Sequence, residues 1–202
     1  MTRQSRRSVL KGGALLAGTI LIPAARSAEP VLARLGSYPF TLGVASGEPA
    51  PDGFVIWTRL APHLLEPDGG MPPLPFEVDW QVAGDPGFAK VVRSGQALAV
   101  PEWGHSVHVD VTGLRPSRPY WYRFRAGGEI SPAGRSRTTP PPGAAVDRLR
   151  ACFASCQKYE AGYYAAYRHM VADDPDLVLF LGDYIYEGVP GSRDNVRLHL
   201  NP

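Results

Sequence analysis

Three side chains near the end of the sequence have the chemistry of metal ligands. Cys156 carries a thiol, Asp183 a carboxylate and Tyr186 a phenol. A thiolate and a phenolate together favour an oxidised metal such as ferric iron over calcium or magnesium, and the thiolate also suits zinc. Asp183 follows a continuous apolar run after a single glycine, where a carboxylate can bridge two metal ions; capping a helix is its alternative role.

Two predicted parallel strands bring these side chains together. Residues 149–155 and 177–181 are mostly apolar, as are strands covered on both faces of a parallel sheet. Between them, residues 162–173 place apolar side chains at helical spacing, which predicts a β-α-β unit. Sites in such sheets lie beyond the carboxyl ends of the strands, and each candidate ligand follows a strand end. We therefore expect the three to converge.

The two cysteines are not expected to form a disulfide. Cys152 and Cys156 are separated by roughly 13 Å if they lie along one strand, whereas a disulfide tolerates at most about 7 Å between Cα atoms. Cys152 falls inside the strand and is interpreted as a small core residue. Cys156 falls at its end, where a metal ligand and a buried, inert thiol are the two possible roles.

The middle of the sequence has the pattern of a small β-sandwich. Short runs in which apolar and polar residues alternate predict strands at residues 40–44, 54–60, 77–82, 91–97, 106–111, 120–125 and 135–138. Seven strands in about 100 residues indicate an immunoglobulin-like or fibronectin type III-like domain, with an unrelated all-β domain as the alternative. We place this domain at residues 31–142, with a tyrosine corner expected around Tyr120-Trp121-Tyr122 and a proline-rich linker after the domain.

The N-terminus has the pattern of an export signal. Residues 1–27 hold five Lys and Arg and no acidic residue, with paired arginines at positions 6 and 7, followed by a short apolar run. That run is well short of the roughly 20 residues that span a bilayer, so we do not expect an integral membrane protein. Residues 28–202 then hold 16 basic and 19 acidic residues, which gives no electrostatic reason to expect nucleic-acid binding.

These motifs together resemble one enzyme family. Gly-Asp-Tyr-Ile-Tyr-Glu at 182–187 is similar to the second motif of metallophosphatases, and Ala-Ser-Cys-Gln at 154–157 resembles the first metal motif of the PhoD-like alkaline phosphatases and phosphodiesterases. Residues 40–49 and 55–60 look like the start of that family's N-terminal domain. Purple acid phosphatases are the nearest rival, but they have an aspartate at the position of Cys156.

The resemblance implies a cofactor pair and a reaction. Cys156 and Tyr186 would bind ferric iron, and Asp183 would bridge the iron to calcium and so be catalytic. The substrates would be small phosphate monoesters and diesters. The leader resembles a twin-arginine signal, which implies the Tat translocase as a partner during export and a periplasmic or secreted protein.

The resemblance also implies that the catalytic domain is incomplete. Residues 149–202 would be only the beginning of a metallophosphatase domain, because the family's later ligands have no counterpart in this sequence. We therefore expect an N-terminal fragment that is inactive by itself. The alternative function is a non-catalytic, exported β-sandwich that binds a partner and carries a vestigial tail.

Overall fold

The computed structural model describes residues 36–184, Tyr186 and residues 196–197. The predicted export signal at residues 1–27 lies outside the described residues. No helix in the described part is both long and apolar enough to cross a membrane.

Most of the regular secondary structure in the described chain is β-strand. Eight strands form a first part, the β region, which we define as residues 36–139. They are β1 Val44–Ala50, β2 Gly53–Arg59, β3 Phe76–Ala83, β4 Val91–Ala99, β5 Ser106–Val111, β6 Pro119–Ala126, β7 Glu129–Ile130 and β8 Gly134–Arg137. A second part, the β-α-β unit, contains β9 Ala151–Ala154, the helix α1 Ala165–Asp173 and β10 Leu177–Phe180.

The β region consists of two antiparallel sheets that face one another. One has the order β1-β2-β5, and the other has the order β4-β3-β6-β7, with β8 also paired to β6. Every second side chain of β2 and β6 is buried, as a strand with one covered face requires. The ring of Phe54, from the first sheet, lies 6.2 and 6.3 Å from the rings of Tyr120 and Tyr122, from the second. The buried core therefore fills the space between the sheets.

The first predicted strand is misplaced. Residues 40–44 were expected to form it, but β1 begins at Val44 and continues to Ala50. Phe40 is buried in the core, and its carbonyl accepts the N–H of Gly43 at 2.9 Å, so a tight turn precedes the strand. Gly43 has φ +71°, a conformation that glycine adopts without steric cost and that ends a turn rather than extending a strand.

The hydroxyl of Tyr120 fixes the segment before β6. It accepts the N–H of Arg115 at 2.9 Å and lies 3.3 Å from the carbonyl oxygen of the same residue. This is the local hydrogen bonding of a tyrosine corner, in which the phenol bonds to backbone a few residues upstream. A buried aromatic ring thus anchors an exposed loop through its polar end.

The β-α-β unit has the predicted parallel pairing. Leu177 to Phe180 lie opposite Ala151 to Ala154 in register. The helix starts later than the predicted residue 162, because Tyr164 has φ +55° and the helix begins after it at Ala165. The apolar side chains of the unit are largely uncovered: Phe153 is 71% exposed and Val171 is 78% exposed. The expected burial of both strand faces is therefore wrong for the described chain.

Ion pairs between exposed side chains connect β8 to the end of α1. Arg135 lies 3.0 Å from Asp174, and Arg137 lies 2.8 Å from Asp176. Both cysteines are free thiols, as predicted, with Cys152 partly buried in β9 and Cys156 exposed beyond its end.

Candidate metal centre

The hydrogen-bond ladder between β9 and β10 continues past the ends of both strands. The N–H of Cys156 donates to the carbonyl of Gly182 at 3.1 Å, and the N–H of Gln157 donates to the carbonyl of Asp183 at the same distance. The two loops that carry the candidate ligands are therefore held side by side by backbone bonds. The parallel register of the strands dictates which residues become neighbours.

Both loops turn sharply at the candidate ligand. Cys156 has φ +56° and Asp183 has φ +52°, in the left-handed region that side chains other than glycine seldom adopt. A residue in this conformation cannot continue a strand, so the backbone of each loop bends at the edge of the sheet. Such backbone positions cluster at functional sites, where the surrounding structure maintains them.

The three candidate ligands meet at one oxygen atom. The Sγ of Cys156 lies 3.3 Å from Oδ2 of Asp183, although 27 residues separate them in the chain. The hydroxyl of Tyr186 donates to the same Oδ2 at 3.0 Å. The structure thus brings together the thiol, carboxylate and phenol that sequence reasoning selected. Cys156 is exposed in the described chain, unlike the buried thiol considered as its alternative.

This arrangement raises the pKa of the Tyr186 phenol above its ordinary value. Its hydrogen bond to Cys156 is the largest cause that raises the pKa of Tyr186, followed by desolvation and by the hydrogen bond and negative charge of Asp183. Loss of the phenolic proton would place two negative oxygens next to one another without a cation between them. A cation bound at this position would offset the repulsion and so favour the ionised phenol.

A further residue, Gln157, belongs to the motif at 154–157 but was assigned no role from the sequence. Its Nε2 donates to the carbonyl of Tyr184 at 3.0 Å, and its Oε1 accepts the hydroxyl of Tyr167, which lies on α1. Gln157 therefore connects the loop after β9 to the loop after β10 and to the helix. Its position directly after Cys156 was the available signal, because the register of the two strands places it opposite Asp183.

The thiol, the carboxylate and the phenol lie close together and have the chemistry of metal ligands. Within the residues that the structure describes, no group of three or more His, Cys, Asp and Glu side chains has the arrangement of a metal site. Tyr186 supplies the third donor atom here, next to one thiol and one carboxylate. Sulfur and phenolic oxygen form a donor set that matches a transition metal better than calcium or magnesium.

Two family matches cover most of the chain. Residues 25–140 match the family described as PhoD-like phosphatase, N-terminal domain. Residues 151–200 match the family described as PhoD-like phosphatase. The chain therefore belongs to the PhoD-like phosphatase family, and the resemblance found in its motifs is confirmed.

Individual relatives agree with this assignment. The chain is 49% identical over 203 residues to alkaline phosphatase D of Bacillus subtilis (strain 168), a match that covers 96% of this chain and 35% of the relative. It is similar to a solved structure titled "Structure of PhoD", with a TM-score of 0.73 and 55% identity, covering 75% of this chain and 29% of that one. The chain thus spans about a third of the length of these relatives.

Proposed function

We propose that this chain carries part of the active site of a metal-dependent phosphoesterase that hydrolyses phosphate monoesters and diesters. The observation that supports the proposal best is the convergence of Cys156, Asp183 and Tyr186 on one carboxylate oxygen. Membership of the PhoD-like phosphatase family supplies the reaction class. The match to alkaline phosphatase D supports a phosphatase activity for the whole protein.

The proposed metals are ferric iron and calcium. Cys156 and Tyr186 would hold the iron, and Asp183, whose Oδ2 is in contact with both of their donor atoms, would bridge the two ions. When bound, two close metal ions neutralise phosphate oxygens and activate water for attack on phosphorus. A bridging carboxylate is the ligand whose loss affects both ions at once, and for this reason we assign the catalytic role to Asp183.

The chain's own residues hold these ligands in place. Backbone bonds from Cys156 and Gln157 to the loop after β10 fix the separation of the two ligand-bearing loops. The amide of Gln157, held by Tyr167 and by the carbonyl of Tyr184, restricts the same loops from the side of α1. We assign Gln157 a positioning role, because its bonds go to the elements that carry the ligands.

We further propose that the β region is an immunoglobulin-like or fibronectin type III-like domain at residues 31–142. The facing antiparallel sheets and the hydroxyl of Tyr120 on the backbone of Arg115 support this assignment. Residues 149–202 would then begin a metallophosphatase domain. The parallel pair β9 and β10, with α1 between them, supports that part of the proposal.

Export through the twin-arginine pathway is also a proposal. Its support is the paired arginines at positions 6 and 7 in a basic, acid-free leader. Exchange of both for lysine keeps the charge and removes the guanidinium pair. A reporter that folds before export should then remain in the cytoplasm, and an unchanged periplasmic signal would reject the proposal.

The proposed activity is tested in a chimera in which this chain replaces the matching part of the Bacillus subtilis relative. With iron and calcium, the chimera should hydrolyse p-nitrophenyl phosphate and its bis ester, and Asp183→Asn should lower turnover by about two orders of magnitude or more. The matched control is Asp174→Asn, which removes an exposed carboxylate that pairs with Arg135. Equal turnover in the two variants would contradict the catalytic assignment.

The chain alone provides the second half of the test. Because it spans 35% of the relative and its candidate centre has three donors, we expect no useful turnover from it by itself. Metal-dependent turnover that Asp183→Asn abolishes would show that the site is complete within these residues. A chimera that folds, binds metal and still lacks activity would favour the non-catalytic binding module instead.

A further inference from the structure

An open cavity of about 440 Å³ lies in the β region, and its lining is strongly basic. The turn between β3 and β4, the strand β4 and the segment that joins β5 to β6 form its walls. Four of its ten lining residues are cationic and none is acidic. The cationic residues are Lys90, Arg93, Arg115 and Arg118.

This positive charge is local. Residues 28–202 hold more acidic than basic residues, so four cations around one cavity depart from the balance of the chain. The ion pairs between described residues engage other arginines, Arg135 and Arg137. The carboxylate of Asp85 interacts electrostatically with Lys90, but its oxygens accept backbone N–H groups of the β3–β4 turn. The guanidinium groups of Arg115 and Arg118 form no ion pair within the described residues.

Arg93 is fixed at the wall of the cavity. Its guanidinium group donates to the carbonyls of Thr112 at 3.0 Å and Val92 at 2.8 Å, and also to that of Gly113. These bonds tie β4 to the segment after β5. A guanidinium group has five N–H donors, so this side chain keeps donors and its full charge for a ligand.

The segment that carries Arg115 and Arg118 is equally constrained. Tyr120 holds the backbone of Arg115, as described above. The hydroxyl of Thr138, which is fully buried, donates to the carbonyl of Arg115 at 2.8 Å and accepts the N–H of Arg118 at 3.1 Å. The two cations therefore extend from a backbone that buried side chains hold in place, which lowers the entropy lost on binding.

We propose that this cavity binds a compact polyphosphate anion. Guanidinium groups match phosphate in charge and in hydrogen-bond geometry, and three of them beside a lysine suit a ligand with more than one phosphate group. The volume lies within the range of small-molecule sites. None of the lining residues belongs to the candidate metal centre, so this binding is independent of the proposed catalysis.

The test is a calorimetric titration of the metal-free chain with tripolyphosphate, in a chelator-washed buffer of low ionic strength. We expect saturable binding that weakens as salt is added, because exposed charges are screened. Exchange of both Arg115 and Arg118 for glutamine should weaken binding about tenfold or more, since hydrogen bonds to charged groups are lost. The backbone bonds of both residues survive this exchange.

The matched control removes two exposed arginines elsewhere, Arg125 and Arg148. It carries the same net charge as the test variant and keeps the basic leader. Unchanged affinity in this control, with a cooperative thermal transition in both variants, supports the cavity as the site. Equal weakening in both variants would assign the binding to overall charge, and no saturable binding at low salt would overturn the proposal outright.

Discussion

The β region and the β-α-β unit use similar apolar strands but cover them differently. In the β region, Phe54, Ile56 and Phe124 are fully buried between two sheets. In the β-α-β unit, Phe153 is 71% exposed and Leu181 is 65% exposed, and the helix α1 buries none of its residues. Strands are paired through their backbones in both parts. Strand formation and strand burial are therefore separate properties, and only the second differs between the two parts.

The candidate metal centre lies in the less covered part. Its ligands are held by backbone bonds between two loops and by Gln157, whereas the β region relies on a continuous apolar core. The basic cavity, in contrast, is built on the well-packed part, where Tyr120 and Thr138 anchor its loop. The two sites therefore differ in how rigid their supports are.

The largest expected difference is in the free energy of unfolding lost when Phe54 or Phe153 is replaced by alanine. Phe54→Ala removes a side chain from the core and should lower the free energy of unfolding by about 3–5 kcal/mol. Phe153→Ala trims an exposed ring and should lower it by less than about 0.5 kcal/mol. Urea denaturation followed by circular dichroism measures both. Similar losses would mean that β9 is covered as well as β2.

A smaller difference is expected for two tyrosine hydroxyls. Tyr120→Phe removes the group that holds the backbone of Arg115 and should destabilise the β region by about 1–2 kcal/mol. The matched control is Tyr163→Phe, because Tyr163 is 73% exposed and its hydroxyl makes a long bond, at 3.4 Å, to the carbonyl of Val196. Equal midpoints of thermal denaturation for these two variants would contradict the stabilising role of the Tyr120 hydroxyl.

The smallest expected effect is the weakening, in acid, of the hydrogen bond from the N–H of Arg150 to the carboxylate of Asp176. The N–H of Arg150, 3.0 Å from Oδ2, is the main cause that lowers the pKa of Asp176 below 3.8, and Arg137, Arg148 and Arg150 add positive charge. A carboxylate whose pKa is lowered by folding stabilises the folded state at pH values above its ordinary pKa. This stabilisation is lost as the pH falls through the lowered pKa of the folded state.

Hydrogen exchange at the amide of Arg150 measures this effect. Protection, corrected for the intrinsic rate, should decline as pH falls from about 5 to below 3.8. Asp176→Asn should show low protection throughout this range. Asp174→Asn, which removes a carboxylate bonded to a side chain and not to that amide, should behave like the parent. A parent profile that is flat with pH would contradict the role of Asp176.

Local patterns in the sequence predicted most strand positions. Alternation of buried and exposed residues placed β5 at its observed bounds, and placed β2, β3 and β6 within one residue. The first strand was misplaced because the apolar side chain of Phe40 belongs to a turn, where it enters the core before the strand begins. The start of α1 was missed because Tyr164 adopts a left-handed conformation, which no spacing of apolar residues reveals.

For the candidate site, the parallel register explains what was predictable. It placed the loop of Cys156 beside the loop of Asp183, since each loop follows one of the two paired strands. The contact of Gln157 with Tyr167 was not predictable, because it depends on where α1 packs relative to the loop. The apolar runs of β9 and β10 did not reveal that their faces are uncovered, since an apolar run specifies a strand and not what lies on it.

The most direct test of the metal centre is a visible spectrum of the iron-loaded chimera. Iron bound by the phenolate of Tyr186 should give a charge-transfer band, and Tyr186→Phe should abolish it. The matched control is Tyr184→Phe, which alters an exposed tyrosine two residues away whose ring packs on Phe180. Loss of the band in Tyr186→Phe with its retention in Tyr184→Phe is the result that we predict. A band that survives in Tyr186→Phe would contradict the assignment of Tyr186 as an iron ligand.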